Sequence, residues 1–261
     1  MLREKLMQHE AVDGFRWRNH EVSRVEGFSD AVFGFAITLL IVSLEVPKTS
    51  TELFATMRGF GAFLVTFFML SAIWYAQYLF FRRYGLVDRV TVILNLALLF
   101  MVLFFVYPLK FLFTVLLGDP MMRHTKVMTA HGLEPAILPQ HRPWIYLIYG
   151  AGFTAIFIVF ALLYRYAYSK REKLELNEFE TWETQHSLRR FLFAAALGTT
   201  YLGVALLELI PKANKTAINA ASVLLLLVVA ALFLKMLRMR RQRSRKKREW
   251  LRNGGSGPPV E

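Results

Sequence analysis

The sequence predicts an all-α membrane protein with six transmembrane helices per subunit, and three observations carry that reading. The 261 residues are 55% apolar and 15% aromatic with mean hydropathy +0.38, too oily for a soluble domain of this size. Six stretches are long and apolar enough for a bilayer, whose hydrocarbon of about 30 Å takes roughly 20 helical residues to cross. Most of the 32 lysines and arginines lie between these stretches or near their ends, so the net charge of +13 is read as membrane topology and nucleic acid is not an expected partner.

The N-terminal segment 1–24 is charged and lacks a short apolar region followed by a small-residue cleavage site. No removable signal peptide is expected, and the first span serves as its own insertion signal. Spans are expected at 27–46, 53–80, 88–117, 144–168, 189–210 and 215–236, making 25–236 the membrane domain. Pro47 closes the first span and Pro211 the fifth, while Pro120, Pro135, Pro139 and Pro143 fill the long external connection between the third and fourth. An even number of spans puts both termini on one side. That side holds 24 of the lysines and arginines against eight on the other, so both termini are expected in the cytoplasm. The tail 237–261 carries the basic run Arg238 to Arg248 directly after a span, where clustered cations meet anionic lipid head groups. Its ending, from Gly254 to Pro259, is flexible by composition.

Several chemistries are excluded. With no cysteine, disulfides, thiolate nucleophiles and sulfur-based metal sites are absent. His124, His131 and His141 in the external connection do not have the spacing of a helical ligand pair, so a solvated loop is expected and no structural metal or cofactor. An enzyme would need a His, Asp or Glu cluster at one membrane depth, which the spans do not provide.

Ionisable groups inside spans are functional candidates unless they sit at the ends. Lys110 and Glu208 lie near the external boundary and can snorkel there. Asp30 lies in the first turns of span one, beside Ser29 and six residues after Arg24. Helical neighbours are three or four residues apart, so Arg24 and Asp30 lie on different faces and do not pair within one helix. If both leave water, their partners belong to another helix or another subunit, which makes them candidate assembly contacts. The competing reading is a charge favoured by the helix dipole for Asp30 and a local cap for Ser29. Trp74 and Gln77 on span two and Asn95 on span three are the other in-span polar groups that need partners in lipid.

Beyond Asp30 the first span runs Ala31, Gly34, Phe35, Thr38, Ile41, Val42 and Glu45 along one stripe, at steps of three and four. A stripe of small residues with one ring and one mid-membrane hydroxyl suits either close helix packing or the wall of a narrow, largely hydrophobic pore. Spacing alone favours packing. The Thr38 hydroxyl can bond back to the Gly34 carbonyl, so its presence needs no ion.

The run from Arg24 through Phe28-Ser29-Asp30-Ala31, then Ile37-Thr38-Leu39-Leu40, ending at Glu45-Val46-Pro47, resembles the signature of the transmembrane protein 175 family of potassium channels. The resemblance implies a passive potassium-selective channel without a glycine-rich selectivity loop, lined by the first helix of each repeat. Animal members pair fused six-span repeats as dimers. Prokaryotic members have one repeat and form tetramers, and the Phe-Ser-Asp run occurs once here. The resemblance thus implies a homotetramer in a bacterial plasma membrane, with the first helices around a central pore, and with K+ and membrane lipids as partners. It places Phe35, Thr38 and Val42 toward the ion, with transient K+ near Thr38, and Ala31 and Glu45 at the two mouths. It assigns Arg24, Phe28, Ser29 and Asp30 to holding the first helices together at the cytoplasmic end. The chain departs from the family pattern in having Phe35 where isoleucine or leucine is typical, and two extra residues before Glu45. A proton-coupled carrier using Asp30 or Glu208 is the alternative, but broken helices and an internal repeat are not evident.

Overall fold

The computed structural model describes residues 15–19, 21–42, 48–58, 60–117, 126–129, 132–135, 138, 141–208 and 231. Among these, α1 (Arg24–Val42) is followed by a short α2 (Ser50–Arg58), then α3 (Phe60–Tyr84) and α4 (Arg89–Leu117). A hairpin of β1 (Lys126–Thr129) and β2 (Gly132–Pro135) precedes α5 (Arg142–Ser169) and α6 (Glu178–Glu208). Four of these helices are long and apolar enough to cross a membrane: Phe60–Tyr84, Arg89–Leu112, Pro143–Ser169 and Glu178–Leu207.

Local chemistry sets the helix ends on one side of the bundle. Ser23 caps α1 by accepting the Glu26 amide at 3.2 Å, and Glu26 puts an acid in the first turn, where the dipole favours it. Arg82 and Arg83 close α3 with cations. Gly85 follows at φ +59, its amide bonded to the Phe81 carbonyl at 2.8 Å, a left-handed cap that a side chain would strain. Asp88 starts α4 by accepting the Thr91 amide and hydroxyl, and Tyr166 of α5 donates to its other oxygen. Burial alone would push the Asp88 carboxyl up, yet the hydrogen bonds from Tyr166 and Thr91 outweigh it and hold the group below its ordinary value. A reciprocal capping box opens α6: the Glu180 amide donates to Asn177 Oδ1 at 2.8 Å, and the Asn177 amide to Glu180 Oε2 at 3.1 Å.

The helices pack α1 on α3 and α4, α4 on α3 and α5, and α5 along α6. Small residues permit the tight approaches, as expected where lipid gives no hydrophobic drive to association. A Cβ on Gly152 of α5 would fall 1.9 Å from the Phe105 ring of α4, and one on Gly198 of α6 would fall 2.1 Å from the Thr154 hydroxyl. One core gathers Phe80, Tyr84, Leu98, Phe160 and Tyr164 with Phe15, and a second gathers Phe33, Ala36 and Leu40 of α1 with Leu70, Leu99, Val102 and Val106.

The structure corrects several expected boundaries. The fifth span was expected from 189, but α6 starts at Glu178 and α5 runs to Ser169. The basic connection expected across this region therefore shrinks to a short turn, because the polar start of α6 finds partners within the protein. The first helix starts at Arg24 rather than 27, since Ser23 supplies the cap. The second span, expected as one helix over 53–80, is divided between α2 (Ser50–Arg58) and α3 (Phe60–Tyr84). Within the expected loop lies the hairpin, paired Lys126 to Pro135 through Thr129 to Gly132. Pro47, Pro211, the span expected at 215–236 and the basic tail lie outside the described residues.

Gly152→Ala should lower stability by about 1–3 kcal/mol, because overpacking forces the α4–α5 contact apart. Gly203→Ala, with nothing within 4 Å of the added Cβ, should be neutral, and thermal unfolding of the purified protein in detergent compares the two.

Candidate functional site

The first helix has two unlike faces. Glu26, Ser29, Phe33, Ala36 and Leu40 are buried at steps of three, four, three and four, the last four of them against α3 and α4. The opposite side, Ala31, Gly34, Phe35, Thr38 and Ile41, is exposed along its length, with Phe35 58% and Ile41 53% accessible. The stripe read from the sequence is thus the face that the other described residues leave bare, as far as Ile41. Among the described residues, close packing within the subunit uses other residues of α1, and the stripe takes no part in it. The Thr38 hydroxyl donates to the Gly34 carbonyl at 2.9 Å, which leaves its oxygen lone pairs free to accept from, or coordinate, a further group.

A hydrogen-bonded chain fastens the buried face. The Gln77 amide of α3 donates to Asn95 Oδ1 of α4 at 2.5 Å, the Asn95 amide donates to Ser29 Oγ at 2.9 Å, and Ser29 donates to the Val25 carbonyl at 2.7 Å. Gln77, Asn95 and Ser29 are all almost wholly buried. In such surroundings an unmatched carboxamide costs about 1–3 kcal/mol, and each here is matched. Beside this chain the Trp74 indole N–H donates to Asp30 Oδ1 at 2.7 Å. Asp30 finds its partner on another helix, and it is not Arg24: Arg24 is exposed and makes no hydrogen bond or ion pair among the described residues. Phe28 is exposed at 55% on the same outer side.

An extended N-terminal strap braces the same end. Phe15 is fully buried against Tyr84 with ring centroids 5.5 Å apart, and the Arg83 guanidinium lies 5.1 Å from its ring. Arg16 and Arg18 converge on the buried Glu180, at 3.1 and 2.6 Å, and the hydrogen bond to Glu180 raises the Arg16 pKa further above its ordinary range. The Arg18 amide bonds the Arg82 carbonyl at 3.0 Å and Asn19 donates to Glu26 at 2.8 Å. Aromatic contacts then run from Trp17 to Tyr78 and from Tyr78 to Trp74, at 6.3 and 5.8 Å between centroids, and so to Asp30.

Of the residues singled out from the sequence, Ser29, Asp30, Trp74, Gln77 and Asn95 meet in one place, and Ala31, Phe35 and Thr38 share the bare face. Ser29 is an interhelical acceptor rather than a cap. The Val42 and Glu208 side chains, Glu45, His124 and His131 lie outside the described side chains. His141 is exposed at the start of α5 without a capping bond, and among the described residues no group of His, Asp and Glu is placed to hold a metal. Sequence reasoning missed the strap and Glu180. The alternation Phe15-Arg-Trp-Arg18 and the Asn177-x-x-Glu180 spacing were the available signals.

Comparisons with known proteins find a family and several similar chains. Residues 24–105, which hold α1, α3 and most of α4, match the family described as endosomal/lysosomal potassium channel TMEM175. A potassium channel of Marivirga tractuosa is 37% identical over 194 residues, 74% of this chain and 78% of that protein. A potassium channel of Streptomyces collinus is 37% identical over 89 residues, 32% of this chain and 43% of that one. In structure, the chain is similar to the potassium channel MtTMEM175, crystallised as a threonine-to-alanine variant with a nanobody-MBP fusion. That similarity has TM-score 0.70 and 32% identity over 87% of this chain and 97% of the other.

Ser29→Ala and Asn95→Ala should each destabilise the protein, and their double variant should cost less than the sum. A coupling of about 0.6–1.7 kcal/mol is expected for a hydrogen bond in a membrane interior. A double-mutant cycle on unfolding in detergent measures it, and strict additivity would count against the bond.

Proposed function

The chain belongs to the TMEM175 family of potassium channels, and from that premise we propose how it conducts. It is a potassium-selective channel, and its pathway is the bare face of α1. Copies of the chain assemble as a homotetramer of six-span subunits, with α1 of each copy around a central axis and the α3 and α4 helices behind it. Both termini face the cytoplasm of a bacterial plasma membrane, which the 24-to-eight partition of basic residues supports.

The observation that carries this reading is the coincidence of two independent stripes. Phase on the sequence picks out Ala31, Phe35 and Thr38, and burial in the fold leaves those same residues uncovered while the opposite face is locked to α3 and α4. In the assembly, Phe35 rings from each subunit converge on the axis and form a hydrophobic constriction that gates by dewetting unless the rings swing aside. Thr38, one turn further along, offers hydroxyl oxygens to a partly dehydrated K+. Val42 continues the wall, and Ala31 and Glu45 stand at the two mouths.

Arg24, Phe28 and Asp30 hold neighbouring copies of α1 together at the cytoplasmic end. Arg24 and Phe28 are exposed on one subunit, which supports a contact between subunits. Asp30, fixed by Trp74 within its own subunit, is presented to the Arg24 of a neighbour.

Thr38→Ala should reduce the preference for potassium over sodium in reconstituted liposomes, and unchanged reversal potentials would remove Thr38 from the pathway. Asp30→Ala should dissociate the oligomer in detergent, seen by light scattering. An intact oligomer with undiminished flux would show the assembly role to be wrong.

A further inference from the structure

Lys110 is the only charged side chain of α4 beyond Arg89, and neither the hydrogen-bonded chain around Asn95 nor the bare face of α1 uses it. It lies four residues past Val106, on the side of α4 from which Leu99, Val102 and Val106 pack on Phe33, Ala36 and Leu40 of α1. From there its Nζ donates to the Leu40 carbonyl at 3.1 Å. Leu40 is two residues beyond Thr38, in the last described turn of α1.

The surroundings explain why a tether is needed at this place. Pro108 lies inside α4, and its missing N–H deprives the preceding turn of a helical hydrogen bond and loosens the helix there. The Pro108 carbonyl accepts the Tyr149 hydroxyl from α5, so the break is fastened on one side to α5 and, through Lys110, on the other to α1. A cation near the end of a span costs less when its ammonium has an acceptor, and the Leu40 carbonyl is one. Packing alone would be served by methionine or leucine, whereas the ammonium adds a donor that the Leu40 carbonyl accepts.

We propose that Lys110 is a positioning residue for conduction: it ties α4 at its proline break to α1 next to Thr38, and so fixes where the Thr38 hydroxyl stands in the pathway. This rests on the placement of α1 around the pore given above. Lys110 is on the buried side of α1 and touches no ion.

The test is potassium and sodium flux in liposomes, with reversal potentials under bi-ionic conditions, for the unsubstituted chain, Lys110→Met, Lys110→Gln and Lys110→Arg. Lys110→Met matches the stem without the donor and should lower the potassium-to-sodium permeability ratio several-fold, while Lys110→Arg, which keeps a donor and the charge, should restore it. Lys110→Gln, a shorter neutral donor, should fall between. Wild-type ratios in both Lys110→Met and Lys110→Gln would overturn the tether while leaving the channel reading intact, whereas absent potassium flux in the unsubstituted chain would overturn the channel reading itself. If both neutral variants fail to assemble while Lys110→Arg is normal, Lys110 serves general stability and the proposal is wrong.

Discussion

Hydrocarbon supplies no hydrogen-bond partner, so a polar side chain drawn into it must be answered by the protein, and that demand places α1. Asn95 is the junction: its carboxamide accepts from Gln77 and donates to Ser29, joining α3, α4 and α1. Because Ser29 is committed inward, the helix is fixed in rotation, and Phe33, Ala36 and Leu40 follow it into the bundle. Rotation then decides the rest. A helix with that face locked has to present Ala31, Gly34, Phe35, Thr38 and Ile41 on the other side.

The second constraint is at the end of the helices, where the chain leaves the apolar region. Glu180 caps α6 and takes both Arg16 and Arg18. A buried carboxylate is tolerable only when its charge and its lone pairs are answered, and here both are. The strap that supplies the arginines also carries Phe15 into the core and Trp17 against Tyr78. A run of contacts therefore connects the N-terminal strap through Tyr78 and Trp74 to Asp30, the residue on which assembly of α1 is proposed to depend. A single polar layer thus sets the start of α1, the turn at Gly85 and the start of α6.

Close approach along the spans has a different origin. Gly152 against Phe105 and Gly198 against Thr154 let backbones come near enough for dispersion to hold α4, α5 and α6 together. Those helices form the body against which α1 is held. The body is apolar and close-packed, and the proline break of α4 lies within it.

The sequence by itself determined the solvent, the α-helical class and the place of four long apolar helices, because these depend on composition and run length, which are local. It also determined that Arg24 and Asp30 do not pair within one helix, since helical phase needs no fold. Which face of α1 turns inward was not decidable that way: the stripe through Thr38 fitted packing as well as a pore, and only Ser29 bonded to Asn95 shows which face is spent. Trp74 as the partner of Asp30, Glu180 as the partner of Arg16 and Arg18, and the early start of α6 likewise waited on the tertiary structure. Those pairs are separated by 44 residues or by more than 160, and no local pattern says which distant side chain will answer a buried polar group.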